Sequence, residues 1–401
     1  MNICVVTYGS RGDVQPIVAL CLALRSAGHR VLLAAPPENR GWIRSHGLRF
    51  AALGDPFMAF AAQHPDVHSP LTAPPFFGFL RAQARRQFAQ LPGIVRGSDQ
   101  VLGCSLAFAL PSVAEAMAVS YRYVAFCPQV FRSAAHPSLF SRNHRMPAAL
   151  NLLSWRADAL ADRFLFRPLL DRGRRKLGSP RISGPTLDHL LGDRPLLAAE
   201  SILAPLPPDL DRPVERIGYP RLAGTKRLSR PLVQFLDEAA PPAYFGFGSM
   251  PYPDRPKMFS RVVAAARRTR VRLVISWGRE ERAGKHCYLV GPVDHERLFE
   301  KTAMVIHHGG AGTTTTAARA GVPQILAPHV LDQFYWARRI QDMGLGPAAL
   351  DRRRLGAAQI ADRIRTVAED GRYRLRAKLT AERLARASGA DFRLTAWAGG
   401  L

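Results

Sequence analysis

The chain carries one apolar and polar pattern twice. Residues 3–7 are apolar or β-branched throughout and run into a glycine-containing turn at residues 9–12. Such a run suits a strand buried on both faces, as in a parallel sheet. From residue 14 to about 27 apolar positions recur at helical spacing, with Pro16 tolerated in the first turn and Gly28 closing the helix. Residues 31–35 are the next apolar run. Strand, turn, helix and strand predict a βαβ unit, with ligands at the carboxyl ends of the strands. Residues 244–247 begin a second round, with a turn at Gly248-Ser249-Met250, a helix over about 256–268 and a strand at 273–276. Apolar runs at 101–109 and 123–126 extend the first half, and residues 133–190 read as irregular and helical.

Proline is dense over residues 203–219, and the step at 216–220 reads as a domain boundary. The predicted organisation is an α/β chain with a first domain over 1–220, a basic polar linker at 221–230, a second domain over 231–380, and a basic terminal helix over 381–401. At 401 residues the chain exceeds one comfortable core, which agrees with two domains.

The most specific segment follows the apolar pair Val305-Ile306. It brings His307 and His308, then Gly309, Gly310, Ala311 and Gly312, then four threonines, Thr313 to Thr316, that open a helix through Ala317, Ala318 and Ala320. Glycines let the backbone approach a ligand, and free amides at a helix N-terminus attract negative charge, so the segment predicts a phosphate or pyrophosphate cradle. No Gly-Lys-Ser/Thr follows, which excludes a P-loop, and the spacing departs from G-x-G-x-x-G. A turn at Gly321-Val322-Pro323, the run 324–327, Pro328 and the polar pair Asp332-Gln333 complete it. This order resembles the donor signature of nucleotide-sugar glycosyltransferases with the GT-B fold. The likeness is to the bacterial enzymes that glycosylate antibiotics, macrolides and glycopeptides, and to the sterol glucosyltransferases. The resemblance implies two Rossmann-like parallel-sheet domains facing across a cleft, with the last helix, within 381–397, crossing back onto the first.

The opening T-Y-G-S-R-G-D-V-Q-P has the form of the acceptor-side motif of the same group, so the likeness covers nearly the whole chain; residues 55–190 match no known pattern. Ser10, the backbone of Arg11, and Gly12 are expected to meet a donor phosphate. Asp13 is the only nearby carboxylate able to take a proton from an acceptor hydroxyl. An aspartate there is equally a helix cap worth about 1 kcal/mol; the resemblance favours the base. His29 falls at the helix end and reads as structural.

The resemblance further implies that His308 contacts the diphosphate. Gly310, Ala311, Gly312, Thr313 and Thr314 would supply amides and a hydroxyl, and Asp332 and Gln333 would hold the sugar hydroxyls. Ser249 would meet phosphate or ribose, and the backbone of Val293 would read the pyrimidine edge. Trp277 stacks on the base or packs in the core; Thr315 and Thr316 are helix surface or ligand contacts. Asp209 and Asp211 spell D-x-D in a proline-rich stretch and are discounted as a metal site. A helix terminus and His308 can carry the leaving-group charge, so neither metal nor cofactor is expected. Phe57, Phe60, Phe76, Phe77 and Phe79 fall in proline-containing loops that line a lipophilic acceptor pocket, meet a membrane, or simply pack.

The composition, 47% hydrophobic and 22% charged, is that of a soluble globular protein. No apolar run reaches the roughly 18 residues of a membrane span, and residues 1–10 read as a strand rather than a signal peptide. Five dispersed cysteines fit reduced thiols, hence a cytoplasmic setting, with a peripheral position at the inner membrane face as the alternative. The net charge is +25 and only six of the 56 basic residues are lysine. Scattered arginines without a recognition motif argue against nucleic acid; anionic substrates or an anionic membrane remain as partners. The expectation is an inverting hexose transfer from a UDP- or dTDP-sugar to a lipophilic acceptor. A membrane-associated sterol or glycolipid enzyme and a silent helper homologue are the alternatives, and the missing dinucleotide fingerprint argues against an oxidoreductase.

Overall fold

A computed structural model describes residues 1–64, 73–222, 224, 227–248, 254–351, 355–391 and 394–400. The chain divides into two compact units, Met1–Leu222 with Ala390–Leu401, and Ala223–Gly389.

In the first unit the strands are β1 (Asn2–Tyr8), β2 (Arg30–Ala35), β3 (Arg49–Ala52), β4 (Gln100–Ser105), β5 (Ser120–Ala125), β6 (Leu196–Leu197) and β7 (Glu215–Arg216). They form one parallel sheet in the order β3-β2-β1-β4-β5-β6-β7. Residues 3–8 of β1 are buried on both faces, which is why this strand reads as an unbroken apolar run. The helices are α1 (Arg11–Ser26), α2 (Arg40–Ser45), α3 (Phe57–Gln63), α4 (Ala73–Val95), α5 (Leu110–Ala116), α6 (Ala148–Leu165), α7 (Arg167–Lys176) and α8 (Thr186–Leu191). α1 begins at Arg11, three residues before the apolar periodicity starts, because Ser10 caps it there.

The second unit holds β8 (Ala243–Gly246), β9 (Leu273–Ser276), β10 (Glu281–Arg282), β11 (Cys287–Val290), β12 (Met304–His307) and β13 (Gln324–Leu326), in the order β10-β11-β9-β8-β12-β13. Among the described residues only the β10–β11 pairing is antiparallel. Its helices are α9 (Arg230–Asp237), α10 (Arg255–Thr269), α11 (His295–Phe299), α12 (Ala311–Arg319), α13 (Gln333–Asp342), α14 (Ala357–Glu369) and α15 (Gly371–Asp391).

The final helix, α16 (Leu394–Gly399), belongs to the first unit and packs on α1. Trp397 and Ala398 join the core cluster that contains Val14, Ile17 and Leu24, and a ring nitrogen of His29 meets the Ala398 carbonyl oxygen. The five cysteines are buried and form no disulfide. Among the described residues no helix is long and apolar enough to cross a membrane.

In both sheets the strand order reverses once, between β1 and β4 and between β8 and β12. Doubly wound sheets bind ligands beyond the carboxyl ends of the strands at such a reversal. The motif residues follow β1 and β12.

Candidate active site

In the first unit the chain leaves β1 through Gly9 and enters α1 with Ser10 as N-cap. Asp13 Oδ2 accepts hydrogen bonds from the Ser10 amide (2.8 Å) and hydroxyl (2.9 Å), and Ser10 Oγ accepts one from the Gly12 amide (3.2 Å). This is a reciprocal capping box. Asp13 Oδ1 accepts a further bond from the Ser105 hydroxyl at 2.7 Å. Ser105 ends β4, across the strand reversal, and holds a left-handed conformation with φ +51° that non-glycine residues rarely adopt.

A carboxylate has about four lone-pair positions. Neighbouring residues give Oδ2 two bonds and Oδ1 one, so Oδ1 is the less committed oxygen. Burial raises the Asp13 pKa, and the hydrogen bonds from Ser105 and Ser10 pull against that rise. The carboxyl is thereby moved towards the range useful to a general base. A Cβ on Gly9 would lie 2.5 Å from Asp13 Oδ2, so only glycine lets the strand pass this close to the carboxylate.

In this structure the single Ser10 hydroxyl proton goes to Asp13, and the Gly12 amide goes to Ser10 Oγ. The Arg11 guanidinium lies 4.0 Å over the Trp42 ring, while the expectation for Arg11 concerns its backbone. The cap and base readings of Asp13 are also not exclusive, since the box engages mainly Oδ2. Ser105 was missed by sequence reasoning. It lies 92 residues from Asp13 and looks like any serine ending an apolar run.

Beside this turn the phenylalanines lie on α3 and α4, not in loops, because the prolines flanking them start helices rather than prevent them. Phe60 and Phe79 stack at 4.0 Å, and the ring of Tyr8, the last residue of β1, meets Phe57 at 6.0 Å and Phe79 at 6.4 Å. All five phenylalanines are half-buried. Asp209 accepts from Ser133 and the Ala134 amide, which ties the D-x-D stretch to that distant segment, and Asp211 pairs with Arg212.

In the second unit His307 and His308 divide their roles at the end of β12. His307 is fully buried, bonds Gln324 at 2.9 Å, and accepts from the Gly309 amide at 3.1 Å. His308 turns towards Gly248 and Gly310, where added Cβ atoms would stand 3.1 Å from its Cε1 and 2.6 Å from its Nε2. Its Nδ1 is buried with no hydrogen-bond partner among the described residues. Burial, with His307 and His329 nearby, lowers its pKa to about 3, so the ring is neutral at pH 7 and carries one N–H. Gly309 has φ +93° and a Cβ there would stand 3.1 Å from the Gln333 carbonyl oxygen, which ties the glycine turn to the start of α13.

α12 begins at Ala311, earlier than the threonine run suggests, with Gly310 as N-cap and no side-chain cap. The amides of Ala311, Gly312 and Thr313 head the helix without intrahelical acceptors. Thr314 departs from expectation. Its amide and hydroxyl both donate to the Gly310 carbonyl (3.0 and 2.9 Å), and its side chain is fully buried, so it braces the turn instead of meeting a ligand. Thr315 is likewise buried.

Asp332 precedes α13 and accepts from the Trp336 indole N–H at 3.1 Å. Gln333 is buried, and its amide oxygen accepts from the His329 and Val330 amides (2.8 and 3.2 Å). That oxygen holds the loop after β13 and is not offered to a sugar hydroxyl. Leu331, between them, sits at φ +47°. Trp277, after β9, has the Arg255 guanidinium 4.7 Å over one part of its ring and Phe259 at 5.0 Å. Val293, after β11, packs on the core. Trp277 thus lies two strands from His308, about 10 Å across the sheet. Ser249 lies outside the described residues.

Comparison with known proteins identifies the family. Residues 3–135 match the glycosyltransferase family 28 N-terminal domain, and residues 285–392 match the erythromycin biosynthesis protein CIII-like C-terminal domain. The chain is 36% identical over 360 residues to glycosyltransferase GtfE of Amycolatopsis orientalis, covering 87% of this chain and 86% of that protein. It is 31% identical over 361 residues to the dTDP-epi-vancosaminyltransferase of the same organism, covering 87% and 85%. The crystal structure of the kitacinnamycin glycotransferase superposes with a TM-score of 0.74 at 19% identity, covering 99% of this chain and 97% of that one. The chain belongs to the GT-B glycosyltransferases of the antibiotic-biosynthesis type, enzymes that act with nucleotide sugars.

Proposed function

We propose that the protein is an inverting, metal-independent glycosyltransferase that moves a hexose from a dTDP- or UDP-sugar to a hydroxyl of a lipophilic natural product, with Asp13 as general base. The observation that carries this reading is the Asp13 carboxylate, held by three hydrogen bonds at the carboxyl end of β1 with Oδ1 the less committed oxygen. In the reaction the acceptor oxygen attacks the anomeric carbon and loses its proton to Asp13 Oδ1. The bond from that carbon to the diphosphate oxygen breaks, its electron pair leaves with the nucleoside diphosphate, and the anomeric configuration inverts.

The leaving charge falls on the amides of Ala311, Gly312 and Thr313 and on the His308 N–H. These donors head a helix that has no side-chain cap, so an anion there needs little reorganisation. Asp332 serves the sugar, and Trp277 offers its exposed part to the base. A dTDP donor is favoured by the relative named for a dTDP-sugar. The half-buried phenylalanines beside Tyr8 suit a lipophilic acceptor.

Asp13→Asn tests the reading. Transfer falls roughly a thousand-fold, within the range for loss of a general base, while the melting-point rise produced by dTDP or UDP is unchanged. Equal loss of both would make Asp13 a cap alone. Chelator leaves the wild-type rate unaltered.

A further inference from the structure

α6 anchors itself to the first unit by one face only. On that face Asn151 donates to the Ala134 carbonyl at 2.8 Å and the Trp155 indole donates to the His136 carbonyl at 3.1 Å. Both acidic residues of the helix turn inward as well. Asp162 accepts from the Thr186 amide at 2.8 Å, and Asp158 takes hydrogen bonds from Ser138 and the Phe140 amide.

The opposite face is apolar and open to solvent. Leu150 is 47% exposed, Leu153 and Leu160 56% each, and Phe164 74%. At roughly 100° per residue these four fall within an arc of about 80°. Arg156 and Arg163, both exposed and with no carboxylate partner among the described residues, flank that arc about 40–60° to one side. Soluble helices normally bury the apolar stripe and expose the charges. Here the stripe is exposed, the acids are withdrawn from it, and the bases border it.

We propose that this face of α6 is a docking surface for an anionic lipid bilayer. The four apolar side chains enter the acyl boundary while Arg156 and Arg163 extend to headgroup phosphates, the arrangement of an interfacial helix. Charge selects this occupant over a second copy of the chain. Two copies meeting stripe to stripe would bring together four flanking arginines on molecules that each carry a net charge of +25, whereas an anionic bilayer attracts the same charges. The inference is independent of the role of Asp13, because vesicle partitioning, its deciding readout, requires no turnover.

The test is co-sedimentation of the full chain with phosphatidylcholine vesicles, pure or with about a third phosphatidylglycerol. The protein should partition to the anionic vesicles, bind the neutral ones at least ten-fold more weakly, and detach as salt rises. Leu160→Ser with Phe164→Ser should lower partitioning at least ten-fold, without changing the melting point or transfer to a water-soluble acceptor. Arg156→Gln with Arg163→Gln should lower it by roughly five-fold per charge at low salt and much less at high salt. Absence of vesicle binding by the wild type at low salt overturns the proposal. So does wild-type partitioning by both double variants. A dimer that the Leu160→Ser, Phe164→Ser chain fails to form, and that vesicles do not dissociate, would likewise overturn it by making the face a self-interface.

Discussion

The two strand reversals are built alike and hold opposite chemistry. In each, a glycine after the first strand passes close to the functional side chain, Gly9 by Asp13 and Gly248 by His308. In each, the strand across the reversal supplies a polar residue, Ser105 at the end of β4 and His308 just after β12. The decisive difference is at the helix N-termini. α1 carries its own capping box, so the Ser10 and Gly12 amides and the Ser10 hydroxyl are occupied, and the Asp13 carboxylate accepts from the box. α12 has a glycine N-cap and no side-chain cap, so its amides remain open as donors. A helix start offers its amides to an anion only where they are left uncapped.

Gly310→Ser attacks this difference directly and should have the largest effect. Its hydroxyl would seal α12 as Ser10 seals α1, and its Cβ would press on His308 Nε2. Nucleotide affinity should fall roughly a hundred-fold, since several aligned donors are lost, and transfer should fall with it; titration calorimetry with dTDP measures the first. Retained affinity would show that the diphosphate does not use this terminus.

Gly9→Ala is the matching change in the other unit. Its Cβ would displace the Asp13 carboxylate, and misplacement of about 1 Å costs roughly a hundred-fold in turnover. Nucleotide affinity should stay at the wild-type value. If both quantities fall together, the division of labour between the two reversals is wrong.

Ser105→Ala sharpens the account further. Removing a hydrogen bond that favours the charged carboxylate raises the Asp13 pKa. The acid limb of kcat/KM should therefore move to higher pH, with less than about a ten-fold loss on the alkaline plateau. An unmoved limb, with only the plateau lowered, would give Ser105 a purely structural role.

The smallest predicted effect concerns stability. Burial lowers the pKa values of His295 and His307 to about 4 and that of His308 to about 3, against an ordinary 6.5. Below pH 6.5 the unfolded chain takes up protons at these rings that the folded chain still refuses. Their contribution is thus fully present above 6.5 and is lost as pH falls towards 4. The melting temperature should drop over that window, and His307→Asn should flatten the drop.

The sequence by itself determined the parallel sheets, the two glycine turns and the family, because buried parallel strands are continuously apolar and a glycine turn must be local. It also singled out Asp13 and His308 as candidates, which lie within a few residues of the glycine turns. Only the tertiary structure decided which groups remain available. Ser10, Gly12, Thr314 and the Gln333 oxygen belong to the motifs yet are committed to hydrogen bonds inside the fold, and Ser105 reaches Asp13 from 92 residues away. α6 gives the same lesson, since an amphipathic stripe in sequence does not say which side is covered. A residue's type fixes what it can donate or accept; only its neighbours in space decide whether that capacity is already spent.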